Sequence, residues 1–340
     1  MPASLPPADF LAKSQSFPII DVRSPAEYAH AHIPGAINIP LFGNEERDKV
    51  GTCYKQAGKD AAVLLGLKLV GPKLASFVTQ SKALNSHEVL VHCWRGGMRS
   101  GSFAWLLETA GMRVSTLAGG YKAYRHKLFE DFSEPKKLIV LGGTTGSGKT
   151  EVLHELRKLG EQIIDLEELA HHKGSSFGML GQAAQPSTEQ FENQLYQVWQ
   201  QLNPTKRVWI EDESRRIGSC LVPLVFWQQL QSAPVVVLNV PLAERIQFLV
   251  KHYGCFDRQL LREALDRIKK RLGGQHHQAA IEALAQGDYA TVANITLVYY
   301  DKAYRYDLAK RHASQIREIS VTSTDAFENA ALLLRWANSF

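Results

Sequence analysis

Cysteine is scarce in this sequence, with four residues in 340 and no CxxC pair. The wide spacing of the four argues against both a disulfide framework and a zinc site. The amino-terminal segment also lacks the basic and apolar regions of a secretory signal, and no apolar run is long enough for a membrane span. We therefore expect a cytoplasmic protein with reduced thiols and no membrane partner.

Neither sign of charge dominates the chain. There are 39 lysines and arginines against 34 aspartates and glutamates, for a formal net charge of +5, and hydrophobic residues make up 45%. This composition is typical of a globular protein, and the length predicts two domains. The small positive excess favours an anionic partner only weakly.

Strand-like runs alternate with helical patterns in the first third of the chain, as in "FPIIDV", "HEVLVHC" and "RVSTLAGG". Ser24 followed by Pro25 marks a helix start, because serine caps a helix N-terminus and proline fits its first turn. The alternation predicts an α/β domain with a parallel sheet. We assign it to residues 1–130 and assign a polar, proline-containing linker to residues 131–137.

Cys93 lies in "VLVHCWRGGMRSG", after a predicted strand and before a predicted helix. Backbone N–H groups and a helix N-terminus converge at such a position, which favours anions and lowers a thiol pKa. Gly96 and Gly97 allow a tight curl, and Arg95 and Arg99 add positive charge. We predict a catalytic loop formed by Cys93, Arg95 and Arg99.

The first domain resembles the rhodanese family. The segment 19–40, "IIDVRSPAEYAHAHIPGAINIP", matches the opening of that family, and 117–121, "LAGGY", matches its closing strand and turn. Ala31 stands where many members have glycine. The resemblance implies a rhodanese-like parallel-sheet fold with a loop cysteine that carries sulfane sulfur or a related chalcogen.

The same loop also fits a different family. The pattern His92-Cys93-x5-Arg99-Ser100 is that of cysteine phosphatases, whose loop closes round a tetrahedral phosphate. A phosphatase also needs a general acid, and no loop in the sequence obviously supplies one. The spacing is compatible with both rhodanese and phosphatase chemistry. It also makes a phosphorus-containing compound a reasonable donor substrate for this loop.

A complete Walker A pattern, "GTTGSGKT", opens the second domain, predicted over residues 138–340. It follows a strand and precedes a helix, the context that supports the motif. This predicts a P-loop NTPase-like α/β domain, and from about residue 241 the pattern becomes helical and basic. The backbone N–H groups and lysine of such a loop surround phosphate oxygens, and its threonine usually meets Mg²⁺. The predicted phosphate-binding residues are Gly143, Gly146, Gly148, Lys149 and Thr150.

"RVWIEDES" is the predicted Walker B strand, ending in Glu211, Asp212 and Glu213. Asp212 and Glu213 are the candidates for a metal or second site, but the sequence does not decide which of the three carboxylates acts. Cys220 and Cys255 lie in apolar segments with a helical pattern, and we expect both to be thiols buried in the core.

The full layout resembles the bacterial tRNA 2-selenouridine synthase family. The segments that carry this resemblance, besides the two loops, are 46–70, "LAHHKGSSFG" (169–178) and "IEDESRRIG" (210–218). The resemblance implies a transferase that replaces sulfur by selenium in wobble 2-thiouridine of tRNAs for lysine, glutamate and glutamine. It further implies an S-geranyl intermediate made from geranyl diphosphate, and selenophosphate as the selenium donor. One hypothesis makes Cys93 a transient selenosulfide carrier, with the diphosphate, or a nucleotide such as ATP, on the P-loop.

A tRNA substrate needs phosphate contacts over a wide surface. Residues 251–275 hold seven lysines and arginines against three acidic residues, and 299–317 mix four tyrosines with five basic residues. An ordinary basic helix face with core tyrosines is the competing interpretation. The candidate substrate or tRNA contacts are Arg215, Arg216, Lys269, Lys270, Arg271, Tyr304 and Arg305.

Two other functions stay open at this point. One is a sulfurtransferase or cysteine phosphatase fused to a nucleotide-binding, kinase-like domain. The other is a nucleotide-gated binding protein whose cysteine loop only senses anions.

Overall fold

The computed structural model describes residues 2–338 and divides the chain into two compact units, Met1–Phe132 and Ser133–Phe340. Both units are α/β structures built on a parallel sheet, which confirms the predicted fold class. Each unit is described by itself below.

The first unit has a five-stranded parallel sheet in the order β1-β5-β4-β2-β3, flanked by six helices. Its elements are β1 (Ala3–Leu5), α1 (Pro7–Lys13), β2 (Ile19–Asp21), α2 (Pro25–His30), β3 (Ile37–Asn38), α3 (Asn44–Val70), α4 (Leu74–Lys82), β4 (Glu88–His92), α5 (Met98–Thr109), β5 (Arg113–Leu117) and α6 (Gly120–Asp131).

Local sequence signals account for the main elements of this unit. All five residues of β4 are buried, as expected for a central strand of a parallel sheet. Ser24 caps α2: its side chain accepts from the Glu27 N–H, and the Glu27 carboxylate accepts from the Ser24 N–H. Pro25 occupies the first turn, so the predicted helix start is confirmed.

One helical stretch, Asn44–Lys82, is long and apolar enough to cross a membrane by length and composition alone. The expectation that no run is long enough was therefore wrong. The stretch is not one continuous α-helix, because Gly58 adopts a left-handed φ of 85° and a 3₁₀ turn occupies Gly71–Lys73. A single helix of this kind is weak evidence for a membrane span.

The second unit has a five-stranded parallel sheet in the order β12-β11-β6-β8-β7 and a two-stranded antiparallel ribbon, β9 with β10. Its elements are β6 (Lys137–Gly143), α7 (Lys149–Lys158), β7 (Gln162–Ile164), α8 (Leu166–Ala170), α9 (Thr188–Gln201), β8 (Arg207–Glu211), β9 (Arg216–Ile217), β10 (Cys220–Leu221), α10 (Leu224–Ser232), β11 (Val235–Asn239), α11 (Leu242–Tyr253), α12 (Arg258–Leu272), α13 (Gly274–Gln286), α14 (Tyr289–Leu308), β12 (Ile316–Ser320) and α15 (Ala326–Ala337).

The topology of this sheet creates a crevice beside β6. The chain leaves β6 and crosses β8 to form β7, whereas the later strands β11 and β12 lie on the opposite side of β6. Such a switch in direction leaves a crevice at the carboxyl ends of β6 and β8, where ligands bind in open α/β sheets. The glycine loop and Glu211 lie at these two strand ends.

The region after residue 241 is mostly helical, as predicted, but it also contains β12, which the sequence interpretation missed. Helices α12, α13 and α14 pack on one another round a core of their own, which includes Leu261, Leu265 and Leu284. This helical subregion supplies one wall of the cavity described below.

The loop after β4 packs tightly on the turn between β5 and α6. Gly96 has a left-handed φ of +64°, and a Cβ added there would lie 2.6 Å from the Leu117 carbonyl oxygen and 2.7 Å from the Gly119 nitrogen. Both neighbours are backbone atoms, so they cannot move aside as a flexible side chain would. The loop therefore requires glycine at this position.

Gly96→Ala should destabilise the first unit by at least about 1–2 kcal/mol, the cost of a left-handed L-residue, before any overlap is counted. Gly101→Ala is the matched control: Gly101 lies inside α5 with nothing within 4 Å of an added Cβ. Because alanine favours a helix interior more than glycine does, Gly101→Ala should stabilise the first unit by up to about 1 kcal/mol. Thermal unfolding of the two full-length variants would contradict this account if both midpoints shifted in the same direction.

Candidate functional site

Cys93 follows β4 directly and lies at the base of a loop that leads into α5. Its Sγ is 3.2 Å from Ser100 Oγ, in the first turn of that helix, and the residue is 3% exposed. Burial opposes ionisation of the thiol, but hydrogen bonds from Ser100 and from the Arg95 N–H, with the charge of Arg99, bring its pKa below the ordinary value. The lowered pKa favours the thiolate, the nucleophilic form of cysteine, more than in an ordinary thiol.

The two arginines predicted for this loop differ in exposure and in hydrogen-bond partners. Arg95 is exposed on the rim. Arg99 Nη1 donates to Glu27 Oε2 at 3.0 Å, so it joins the loop to the capping carboxylate of α2. Sequence reasoning quoted Ser100 only as part of a pattern and did not assign it a role, although its hydroxyl contacts the sulfur.

Buried side chains next to the start of this loop hold the end of β4 in place. Arg23, 1% exposed, forms a buried ion pair with Asp21 and lies 4.0 Å from the centre of the Tyr121 ring. The Tyr121 N–H donates to the Cys93 carbonyl oxygen at 2.8 Å. These contacts fix the end of β4 from which the cysteine loop starts.

The P-loop joins β6 to α7 in the second unit. Gly143, Gly146 and Gly148 all have positive φ, which explains glycine at these positions. Lys149 Nζ donates to the Gly143 carbonyl oxygen at 2.9 Å. Ser147 Oγ is buried without a hydrogen-bond partner within residues 2–338, and Ser147 lines the adjoining cavity, where an anion could satisfy it.

The P-loop is held in place by two helices, α11 and α14. Tyr304 Oη, from α14, accepts from the Gly143 N–H at 2.8 Å. Arg245, from α11, donates to the Thr145 carbonyl oxygen and forms a two-bond ion pair with Asp301 of α14, both bonds 2.8 Å. The loop conformation therefore depends on α11 and α14 as well as on its own glycines.

The three carboxylates at the end of β8 have different surroundings. Asp212 accepts from Arg311 at 2.7 Å and from Tyr304 at 3.3 Å, so internal partners occupy it. Glu211 is buried, and its Oε2 accepts from the Leu166 N–H. Burial raises the pKa of Glu211, and the neighbouring negative charges of Asp165 and Glu167 raise it further.

Glu213 and Glu167 lie together beside the P-loop. A Cβ added at Gly174 would lie 2.6 Å from Glu213 Oε2 and 3.0 Å from Glu167 Oε1, and Thr150 Oγ1 donates to Glu167 Oε2 at 3.1 Å. Burial, then the charge of Glu167, raises the pKa of Glu213. Sequence reasoning missed Glu167, which lies 46 positions before Glu213 and outside any motif.

Another group of metal-ligand type lies nearby. His154, Asp165 and Glu168 have ligand atoms within 4.8 Å of one another. Asp165 already has internal roles, since it caps α8 through the Glu168 N–H and accepts from His154 at 2.6 Å. We therefore interpret this group as structural.

A cavity of about 840 Å³ joins these features in the second unit. Its polar side includes the P-loop, Glu167 and Glu213. Its other side is largely apolar and comes mainly from the helical subregion; six of the lining residues are Leu249, Tyr253, Leu261, Leu284, Val292 and Leu297. A Cβ added at Gly146 would lie 3.1 Å from Leu249 Cγ, so the apolar wall begins directly at the phosphate loop. The cavity thus suits an anion with an apolar tail.

The candidate tRNA contacts are only partly on the surface. Lys269, Lys270 and Arg271 are exposed at the end of α12, and Arg215, Arg216 and Arg305 are also exposed. Tyr304 differs, since its hydroxyl forms hydrogen bonds with Gly143 and Asp212 inside the unit.

The two cysteines of the second unit that were expected to be core thiols differ in burial. The expectation was wrong for Cys255, which is exposed after α11. Cys220 is buried as expected, but it lies in β10 rather than in a helix.

Comparisons with known proteins agree with this architecture. Residues 136–330 match the family model described as "tRNA 2-selenouridine synthase AAA domain", and residues 7–127 match the rhodanese-like domain. A tRNA 2-selenouridine synthase from Bordetella bronchiseptica is 38% identical over 330 residues, covering 85% of this chain and 88% of the relative. One from Shewanella loihica is 36% identical, covering 86% and 88%.

Among solved structures, a rhodanese-related protein from Thermoplasma volcanium matches 37% of this chain and 92% of its own, at 17% identity and a TM-score of 0.24. The family model and the relatives cover both units of the chain. They confirm the resemblance inferred from the motifs, and the chain belongs to the tRNA 2-selenouridine synthase family.

Proposed function

We propose that this protein is a tRNA-modifying transferase that replaces the sulfur of wobble 2-thiouridine by selenium in two steps. In the first, the tRNA sulfur is alkylated by geranyl diphosphate; in the second, selenium from selenophosphate displaces the geranylated sulfur. The observation that carries the proposal is that one chain of this family holds two anion-binding loops, one with a thiol and one without. A diphosphate and a phosphorus-bearing selenium donor need one loop each.

Geranylation is assigned to the P-loop unit. The tRNA sulfur attacks the first carbon of the geranyl group, and the carbon–oxygen bond to the diphosphate breaks. Backbone N–H groups of the loop and Lys149 stabilise the leaving diphosphate. The apolar wall that starts at Leu249 gives the geranyl chain a place out of water.

A divalent cation would fit beside this loop. Thr150, Glu167 and Glu213 offer hard oxygen ligands of the kind Mg²⁺ prefers, and the two carboxylates lie close together against Gly174. Mg²⁺ held there would neutralise charge on the diphosphate. Asp212 is the poorer ligand, because Arg311 and Tyr304 already occupy it.

Selenation is assigned to the loop of Cys93 in the first unit. Sulfur bound to C2 becomes a better leaving group once it is alkylated, so the geranyl group prepares the base for attack by selenium. The Cys93 thiol with its lowered pKa, the exposed Arg95 and the Arg99 guanidinium suit a small tetrahedral anion such as selenophosphate.

A tRNA requires positive charge along its backbone. The exposed residues Lys269, Lys270, Arg271 and Arg305 offer this charge in the helical subregion, and Arg215 lies on the lining of the P-loop cavity. The tRNAs for lysine, glutamate and glutamine are the proposed substrates, in line with the family resemblance.

Cys93→Ala should abolish selenation and leave geranylation intact, because the thiol is assigned to the second step alone. Mass spectrometry of tRNA nucleosides after geranyl diphosphate, and then after selenophosphate, measures both steps in one reaction. Cys255→Ser, which alters an exposed thiol outside the loop, is the control. Equal loss of both steps in Cys93→Ala would contradict this division.

Lys149→Ala should lower the rate of geranylation by about 100-fold or more, because it removes the ammonium group that stabilises the leaving diphosphate. The same variant should still selenate tRNA that already carries S-geranyl-2-thiouridine. Lys158→Ala, near the exposed end of the same helix, should leave both steps unchanged. A loss of selenation in Lys149→Ala on the prepared substrate would argue against a P-loop role confined to geranylation.

Leu249→Asn should raise the KM for geranyl diphosphate about tenfold or more, the effect of losing roughly 1.5–3 kcal/mol of apolar contact. Inhibition by inorganic diphosphate, which has no tail, should change little. Leu242→Asn on the exposed face of the same helix is the matched control. If Leu249→Asn weakened both ligands equally, the apolar wall would have no role in binding the tail.

A further inference from the structure

The geometry round Cys93 bears on which atom of the selenium donor its sulfur attacks, an inference that rests on the proposed function. Five residues separate Cys93 from Arg99, and the Ser100 hydroxyl lies 3.2 Å from the sulfur. The sulfur lies at the base of the loop, whereas residues 95–98 on its rim are exposed. An anion on the rim would present its central atom, rather than a peripheral one, to the sulfur below.

We propose that Cys93 attacks the phosphorus of selenophosphate and accepts its phosphoryl group, releasing selenium as hydrogenselenide, instead of carrying selenium itself. An S–P bond forms at Cys93 as the P–Se bond breaks, and the electron pair of that bond leaves with selenium. The selenide then attacks C2 of the S-geranylated base, and the C2–S bond breaks to release geranylthiol. Water cleaves the S–P bond, which yields orthophosphate and returns the thiolate.

Electron balance favours this route over a selenosulfide on Cys93. Thiolate sulfur and the selenium of selenophosphate are both fully reduced, so an S–Se bond between them forms only if two electrons are accepted elsewhere, either by a further oxidant or by the phosphorus, which would then leave as phosphite. Phosphoryl transfer requires only the thiol, the donor and water. Every bond in it is exchanged without a change of oxidation state.

The same route explains why the loop resembles a phosphatase loop without an evident general acid. An alkoxide leaving group needs a proton from an acid, whereas hydrogenselenide is a weak base and leaves unaided. Glu27, the carboxylate joined to the loop, accepts from Arg99 and from the Ser24 N–H. Its hydrogen bonds and its lowered pKa, which Arg99 favours against the effect of burial, suit an ionised anchor rather than an acid.

Ser100 is then a positioning residue that acts through Cys93. When water cleaves the S–P bond, the thiolate becomes the leaving group, and the Ser100 hydroxyl is placed to donate to it. Loss of this hydroxyl should slow the breakdown of the phosphocysteine more than its formation. The covalent adduct should therefore accumulate in Ser100→Ala, and Ser100→Thr should restore turnover.

The test uses full-length protein, S-geranylated tRNA and selenophosphate carrying radioactive phosphorus. We expect acid-quenched Ser100→Ala to hold the label on the peptide that contains Cys93, at several times the wild-type level, with no selenium isotope pattern in its mass spectrum. Cys93→Ser should lack this thiol-linked label, whereas Cys53→Ser and Cys255→Ser should retain it. The isotope pattern is needed because a selenium atom and a phosphoryl group add nearly the same mass.

Two results would overturn the proposal in distinguishable ways. Selenouridine formed by wild-type protein, with selenium on Cys93 and no phosphorus label in Ser100→Ala, would reject phosphoryl transfer and keep the proposed function. No selenouridine from wild-type protein with prepared substrate would reject the proposed function and this inference together.

Discussion

Unpaired backbone N–H groups at the start of a helix are the feature on which both loops depend. In each unit a parallel strand ends, the chain turns on glycines, and a helix begins, so several N–H groups point at one spot. Cys93 lies after β4 and before α5, and Lys149 begins α7 after β6. Because a helix N-terminus is partly positive, both spots favour negative charge, such as the ionised form of the Cys93 thiol in one unit and an anion at the P-loop in the other.

The difference between the two loops lies in what surrounds them. The cysteine loop rests on the β5–α6 turn, with no room for a side chain at Gly96. The P-loop borders a cavity of about 840 Å³, and the apolar wall of this cavity comes mainly from helices between β11 and β12. Tyr304 and Arg245 on these helices also form hydrogen bonds with the loop backbone, so one set of helices shapes both the P-loop and the apolar wall.

The structure also separates charged residues that the sequence treats alike. Asp212 and Glu213 are neighbours in the chain, yet one is paired with Arg311 and the other lies with Glu167 beside Thr150. At the end of a strand, successive side chains point to opposite sides, so adjacent positions reach different partners. This geometry makes Glu213 the better candidate for a cation ligand.

The sequence by itself determined the features that depend on near neighbours: two parallel α/β units, the capped start of α2, the cysteine loop and the P-loop. Glycines, caps and strand-to-helix junctions act within a few residues, so their pattern can be recognised locally. Tertiary structure alone decided the role of Glu167, the engagement of Tyr304 with the P-loop and the presence of β12. Tyr304 and Gly143 are 161 positions apart, and such pairs meet only because the helices pack against the sheet, which no local pattern encodes.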